Sequence, residues 1–440
     1  MSPRVIPRAE HCISRKNIDP DALKVLYRLK NHGHIAYLVG GGVRDLLLQR
    51  QPKDFDISTS AHPYQVKKLF RNCFIIGRRF RLCHVRFGRK VVEVSTFRRQ
   101  AAPEGDDPLI RRDNTFGTPE EDAFRRDFSV NALCYDIATF SVIDYVDGLK
   151  ALEKREIRTI GDPELRFKED PVRMLRAVAL AARLGFSMDR DTAEGIRAFR
   201  GEIVKSSPAR ILEEFYKILR QGESRKTFES LHELGLLAYL LPAAERALAD
   251  GGEQLLGSLA RLDAYRNASL ASAEELTNPL LMGTLLVPLG VSLRRVETRS
   301  RRGDREPPPS SADVNGELKR LGASVESEED DAPGADGEPG SGMALPFARR
   351  DLEVLRLVLA AQSRLRDVDS APGVKRALAG KKYFEQALRW LEIHGGVEAA
   401  DLAAHWRGLD PGEAEPPGRR EDRRPRRRRR RRRRVPSAPA

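Results

Sequence analysis

Cysteine is scarce in this sequence of 440 residues. Its four copies, Cys12, Cys73, Cys83 and Cys134, are scattered and form no C-x-x-C pair. That argues against a disulfide framework or a zinc module and leads us to expect a reducing compartment, the cytoplasm. Long apolar runs are missing too. The strongest, "NPLLMGTLLVPLG", falls short of the roughly 20 residues a membrane span needs. The opening "MSPRVIPRAEHCISRK" has no apolar centre, so no secretory signal is expected. Two common nucleotide motifs are also absent. There is no G-x-x-x-x-G-K-[ST], and G-x-G-x-x-G would need a glycine where Asp45 stands.

Positive charge is present, but it is concentrated. The formal net charge is +14, yet residues 419–434 hold thirteen arginines against Glu421 and Asp422, a net of +11. Only +3 remains for everything else. A basic tail of this kind gives sequence-blind, salt-sensitive affinity for nucleic-acid phosphates, and is equally a solubilising segment.

The length exceeds one compact core and suits two to four domains. Residues 1–33 form an extension with one helix, which Asp19 or Asp21 can cap. In it Leu23, Leu26, Tyr27 and Lys30 follow at helical spacing, and Gly33 ends it. A mixed α/β domain follows over 34–150. It reads as a strand at 35–39, a tight glycine turn, a helix at 43–49, a loop with Pro52 and a strand at 55–58. The runs "NCFIIG", "CHVRFG" and "KVVEVSTF" are further short strands. The pattern then turns helical, and Leu175, Val178, Ala182, Leu184 and Phe186 mark an apolar face. We divide it into a neck at 151–222 and a body at 223–296. A Pro-, Gly-, Ser- and acid-rich stretch at 297–346 reads as disordered linker. Amphipathic helices return at 347–410, and 411–440 is an arginine-rich tail with no means of forming a core.

Two acids attract notice in "KDFDIS". On a strand, residues two apart share a face, so Asp54 and Asp56 would project together, roughly 7 Å apart, with Phe55 and Ile57 turned to a core. Such a pair suits Mg²⁺, a hard cation that takes oxygen ligands and keeps positions open for phosphates. The same spacing is common on an exposed strand edge. What precedes it is less common. "YLVGGGVRD" places Gly40, Gly41 and Gly42 between strand and helix, where backbone N–H groups approach a phosphate and Arg44 adds a guanidinium.

Strand, glycine turn, helix and Asp-hydrophobic-Asp together resemble the nucleotidyltransferase superfamily to which DNA polymerase beta belongs. Within it, "LVGGGVRDLLL" and "KDFDIST" resemble the branch holding bacterial poly(A) polymerases and tRNA CCA-adding enzymes. "RRDFSVNAL" (125–133) resembles that family's ribose and triphosphate motif, and "DYVDGLKAL" the segment after it. "EDPVRMLRA" (169–177) resembles its base-reading helix, and "PARILEEF" the neck motif that follows. One departure is that Ala179 and Leu180 stand in "RAVALAA" where the family usually has Arg and Phe.

The resemblance implies a nucleotidyltransferase head of α/β (α+β) type followed by all-α neck and body. It implies catalytic carboxylates Asp54, Asp56 and Asp127, with Asp54 and Asp56 as ligands of Mg²⁺ in a two-metal mechanism. Glu93, alternating in "VVEVSTF", is a rival third ligand and equally a solvated strand residue. Gly40, Gly41, Arg44, Arg126 and Asn131 would hold the triphosphate and ribose of ATP. Asp170, Arg173 and Arg176 would read the base. Asp170 and Arg173, three apart on a helix, share a face, as an ordinary surface pair also would. Asp45 either orients Arg44 or caps the helix.

Three stretches resemble the poly(A) subgroup: the N-terminal lead-in "HCISRKNIDPDALKVLYRLKNHG", "FIIGRRFRLCHVRFG" (74–88) and "RRDNTFGTPEEDAFRRDF". Within the second, Arg78, Arg79 and Arg81 form a basic cluster, with Phe80 and His84 near for base stacking. The implied function is template-independent polyadenylation of RNA 3′ ends in mRNA processing and decay. CCA addition to tRNA is the alternative, and a non-catalytic RNA-binding protein a second one.

Overall fold

The computed structural model describes residues 3–77, 81–99, 115–268, 275–290, 323–325 and 345–408. The tail at 411–440, Arg78, Arg79, Phe80 and most of the 297–346 stretch lie outside the described residues.

Eight strands form the main sheet: β1 (Arg4–Ile6), β2 (Ala36–Val39), β3 (Asp56–Thr59), β4 (Cys73–Ile76), β5 (Leu82–Phe87), β6 (Lys90–Thr96), β7 (Cys134–Asp136) and β8 (Ser141–Asp144). Their order is β1-β8-β7-β2-β3-β6-β5-β4. Only the β3–β6 pair is parallel; every other neighbour is antiparallel. The segment before residue 34 is therefore no appendage. Its "RVI" supplies an edge strand, and its helix α1 (Pro20–Asn31) packs on β2 and β3.

Alternation divides the sheet into two faces. Leu38, Ile57, Cys83, Val85, Val92 and Val94 are buried and belong to the main core. Helices α1 and α3 (Pro63–Leu69) cover that side. The buried stripe of α1 is Ala22, Val25, Leu26 and Leu29, one step round from the spacing expected. Leu23 and Tyr27 are instead half-buried and line an open groove. Asp19 caps the helix, accepting the Asp21 N–H at 2.7 Å.

Beyond the sheet the chain is helical. Helix α6 (Pro163–Glu169) leads into α7 (Val172–Leu184), whose Leu175, Val178, Ala182 and Leu184 are all buried. α9 (Pro208–Arg220) packs on α7. Helices 349–366 and 384–394 return to pack on those at 253–268 and 278–286. The largest cluster of buried side chains is continuous from Ile6 to Trp406. The assumed linker ends sooner than its composition suggests. Leu345–Phe347 is a strand, paired in parallel with Ala323–Val325, and both Leu345 and Phe347 are buried against α9. Two large apolar residues two apart outweighed the proline between them. Among the described residues no helix is long and apolar enough to cross a membrane, and all four cysteines are free thiols.

Candidate active site

The glycine triplet is less of a loop than expected. Only Gly40 turns, with φ 75° and ψ −143°, a conformation L side chains rarely adopt. Gly41 and Gly42 already lie in α2 (Gly41–Leu47). A Cβ on Gly42 would lie 3.2 Å from the Asp54 carbonyl oxygen, so glycine lets the helix press against the turn that carries Asp54. A Cβ on Gly40 would lie 3.3 Å from Arg126 Nη1 and 4.0 Å from Asp56 Oδ2. The turn, the guanidinium and the carboxylate thus enclose one small space.

Asp56 opens β3, opposite Val39. Asp54 precedes the strand, so the two acids do not alternate along one strand as the sequence suggested. Gly42 packs against the Asp54 carbonyl, and residues 52–55 form an irregular segment with a bend at Lys53. Both acids are exposed. Asp56 is nevertheless crowded. Ile57 pairs with Val94, which brings Asp56 and Glu93 to the same edge of the same face. Desolvation, then the Glu93 charge, raise the Asp56 pKa to about 6; Asp54 adds to this and Arg126 opposes it. Glu93 itself meets His84 Nε2 at 3.3 Å. Among the described residues no three such groups close into a preformed metal cage. Excess negative charge from hard oxygen donors on an open lip is still what a divalent cation would relieve, so the donor set fits Mg²⁺.

Asp127 stands in different company. It is buried, and its Oδ2 pairs with Arg176 Nη2 at 2.6 Å. Its Oδ1 accepts from the Phe128 N–H at 2.8 Å and Asn131 Nδ2 at 3.4 Å. Desolvation works to raise its pKa, but Arg176 and these hydrogen bonds prevail and hold it below the usual range. Beside it lies a cavity of about 300 Å³ lined by Ser95, Arg126, Asp127, Asp170, Arg173 and Arg176. Asp170 Oδ2 accepts from Arg210 at 2.9 Å, while its buried Oδ1 has no hydrogen-bond partner among the described residues. Arg126 donates to Asp122 at 3.1 Å and to Ser58 Oγ at 3.3 Å.

The structure thus brings Gly40, Asp56 and Arg126 together, and Asp127, Asp170, Arg173 and Arg176 around the adjoining cavity. Arg44 and Asn131 lie behind. Arg44 is only 2% exposed; its Nε donates to Asp45 Oδ1 at 2.8 Å and its Nη1 to Asn131 Oδ1. Asp45 therefore orients Arg44. Ala179 borders a smaller cavity of about 170 Å³ beside Arg176 and Lys217.

Sequence reading passed over Arg166. Its Nη2 donates to the Arg125 carbonyl at 2.7 Å and its Nη1 to Glu169 Oε2 at 2.7 Å, tying α6 to the bend that carries Arg126 and Asp127. Burial pushes its pKa down to about 10. Arg173 Nη1 joins the same Glu169 oxygen at 2.7 Å. The spacing of Arg166, Glu169 and Arg173, three then four apart, was the available signal.

The chain is similar to known proteins. The family described as Poly A polymerase head domain matches residues 36–158. The one described as Probable RNA and SrmB- binding site of polymerase A matches residues 185–248. Poly(A) polymerase I of Salmonella typhimurium is 49% identical over 261 residues, which are 57% of this chain and 56% of that protein. The chain thus spans little more than half the length of that relative. The CCA-adding enzyme of Anoxybacillus flavithermus is 36% identical over 282 residues, 63% of this chain and 70% of that protein. Among solved structures, the Bacillus stearothermophilus CCA-adding enzyme in complex with CTP superposes with a TM-score of 0.59 at 27% identity, covering 89% of this chain and 82% of that one. The chain belongs to the tRNA nucleotidyltransferase/poly(A) polymerase family.

Proposed function

We propose that this chain extends RNA 3′ ends with AMP from ATP, without a template, releasing pyrophosphate. The observation that carries the reading is the shared boundary between two unlike places: a lip with the unpaired carboxylate of Asp56, and a cavity lined by guanidiniums. A 3′ hydroxyl needs the first and a triphosphate the second.

Mg²⁺ held by Asp54 and Asp56, with Glu93 as the adjoining carboxylate, would supply Lewis-acid activation of the hydroxyl and neutralise charge on the leaving pyrophosphate. The chain's own residues do the rest. Gly40 leaves room for a phosphate beside Arg126, which is anchored by Asp122 and Ser58 and so need not reorganise when charge develops. Buried Arg44 fixes Asn131, and with it the Asp127 segment. Asp127 acts as the anchor of Arg176. The free Oδ1 of Asp170 accepts from the amino group of a base, and Arg173, steadied by Glu169, donates to the ring. Adenine and cytosine both present such an amino group beside a ring acceptor, so this pair alone suits either.

Higher identity to poly(A) polymerase I supports long tails made from ATP; the RNA ends we propose as acceptors are those of mRNA processing and decay. Longer coverage of a CCA-adding enzyme supports the second reading, repair of tRNA ends. One assay separates them. The protein and Mg²⁺ are incubated with a generic RNA and with a tRNA lacking its 3′ end, offering each NTP alone and all together. Long A-tracts on generic RNA are expected. Addition that stops after two C and one A establishes the alternative. RNA binding without incorporation leaves only a binding module.

A further inference from the structure

We propose that the open face of β4, β5 and β6 is a platform for the last bases of the RNA being extended, with Phe74 as its stacking ring and Arg86 as its phosphate contact. This rests on the reading that RNA is the acceptor.

The register places the platform. Phe74 pairs with His84, and His84 with Glu93, which shares its edge with Asp56. One row therefore runs across four strands, from Asp56 through Glu93 and His84 to Phe74. Three inter-strand steps of about 4.8 Å put Phe74 roughly 14 Å from Asp56. With a hydroxyl held at Asp56, the ring meets bases about four positions upstream, taking about 3.4 Å per stacked base.

The exposure pattern is inverted for an ordinary sheet. Phe74 is 52% exposed, Ile76 44% and Val91 40%, and Arg86 is exposed as well. On the reverse face of the same strands Cys73, Cys83, Val85 and Val92 are buried. The exposed apolar side chains thus lie on the face that carries the acids. The Arg86 guanidinium lies 5.0 Å from the Phe74 ring centroid, and among the described residues no carboxylate pairs with it. A cation without a counter-ion, stacked on an exposed ring, fits a polyanion whose bases have π faces. The platform is also continuous with the nucleotide cavity. Leu82 alternates with His84 and Arg86 on β5, and lines that cavity with Asp170 and Arg173. The nucleotide fills one side of the acids, and this face is the uncovered surface on the other.

The test uses the full chain and a single-stranded RNA. Photocrosslinkable 4-thiouridine is placed singly along the RNA 3′ end, and affinity is measured without ATP by anisotropy. Phe74→Ala should weaken RNA binding about tenfold and raise the RNA KM alike, leaving the ATP KM unchanged. Phe74→Trp should restore both. Arg86→Ala should weaken binding and flatten its salt dependence. Crosslinks should reach β4 and β5 only from upstream positions, not from the terminal nucleotide. Phe74 is exposed, so its truncation leaves the core intact. Unchanged RNA affinity in Phe74→Ala, or crosslinks confined to the helical region, overturns the platform and leaves the face to another partner. Should no RNA be extended at all, the acceptor reading fails, while loss of RNA affinity in Phe74→Ala still upholds the platform.

Discussion

Two aspartates a short distance apart in this site have opposite fates. Asp56 sits at the lip, where desolvation and then the Glu93 charge raise its pKa to about 6. Asp127 is buried and its pKa falls, because Arg176 and two N–H donors more than offset its desolvation. Desolvation pushes both carboxyls up; at Asp56 the Glu93 charge adds to it, and at Asp127 the Arg176 charge and hydrogen bonds reverse it. The protein has spent arginines on Asp127, Asp170 and Glu169 and left the lip only Arg126, which faces Asp56 across the Gly40 turn. Acids left uncompensated by their own protein are the ones that await a cation from outside.

The sharpest way to break this contrast is to remove the lip. Asp54→Ala and Asp56→Ala should each lower nucleotide incorporation by about three orders of magnitude, with RNA affinity in a filter-binding assay nearly intact. Activity surviving in both variants refutes the lip as the metal-holding group. Glu93→Gln keeps the shape and removes the charge that most affects Asp56. Incorporation at saturating ATP should fall about tenfold to a hundredfold, and more Mg²⁺ should be needed for half-maximal rate. A variant indistinguishable from the parent in its Mg²⁺ titration makes Glu93 a solvated strand residue.

On the paired side the effect belongs to stability. Arg176→Ala strands the Asp127 carboxylate. A fully buried pair would lose about 3–5 kcal/mol, but the Arg176 side chain is 44% exposed, which reduces the expected cost to about 1–3 kcal/mol. Urea unfolding measures it, and Arg176→Ala with Asp127→Asn should recover much of the loss. If the single variant unfolds with the parent, the pair is not holding the motif in place.

The sequence made the lip legible and the pairing opaque, for a physical reason. Order along the chain exposes local motifs: a glycine turn, two acids, a helix with Asp170 and Arg173. The register that sets Glu93 beside Asp56 depends on a parallel pairing between strands some 35 residues apart, and alternation alone could not choose between Glu93 and Asp127. Ion pairs such as Arg176 with Asp127 join separate elements and leave no periodic trace. Composition also misled at Leu345, a core side chain hidden in an acid- and glycine-rich neighbourhood.

The smallest expected effect tests the lip without any catalysis. Asp56 holds its proton in the folded state to about pH 6, whereas in the unfolded chain it releases it near 3.8. Between those values the native state binds more protons, so stability falls as pH rises through the window and the contribution is gone above it. Two pH units would correspond to about 3 kcal/mol, but Asp56 is exposed and solvent screening cuts this to about 1 kcal/mol. Asp56→Asn removes the titration. With a chelator present it should therefore lose less stability than the parent between pH 4 and pH 7, and should be the more stable protein at pH 7. Mg²⁺ held at the lip as proposed would favour the parent, with all its carboxylates, over the variant, so adding it at pH 7 should narrow the gap. Parallel stability curves for the two proteins, or a gap indifferent to Mg²⁺, would mean that the crowding of carboxylates at the lip stores no charge for a cation to relieve.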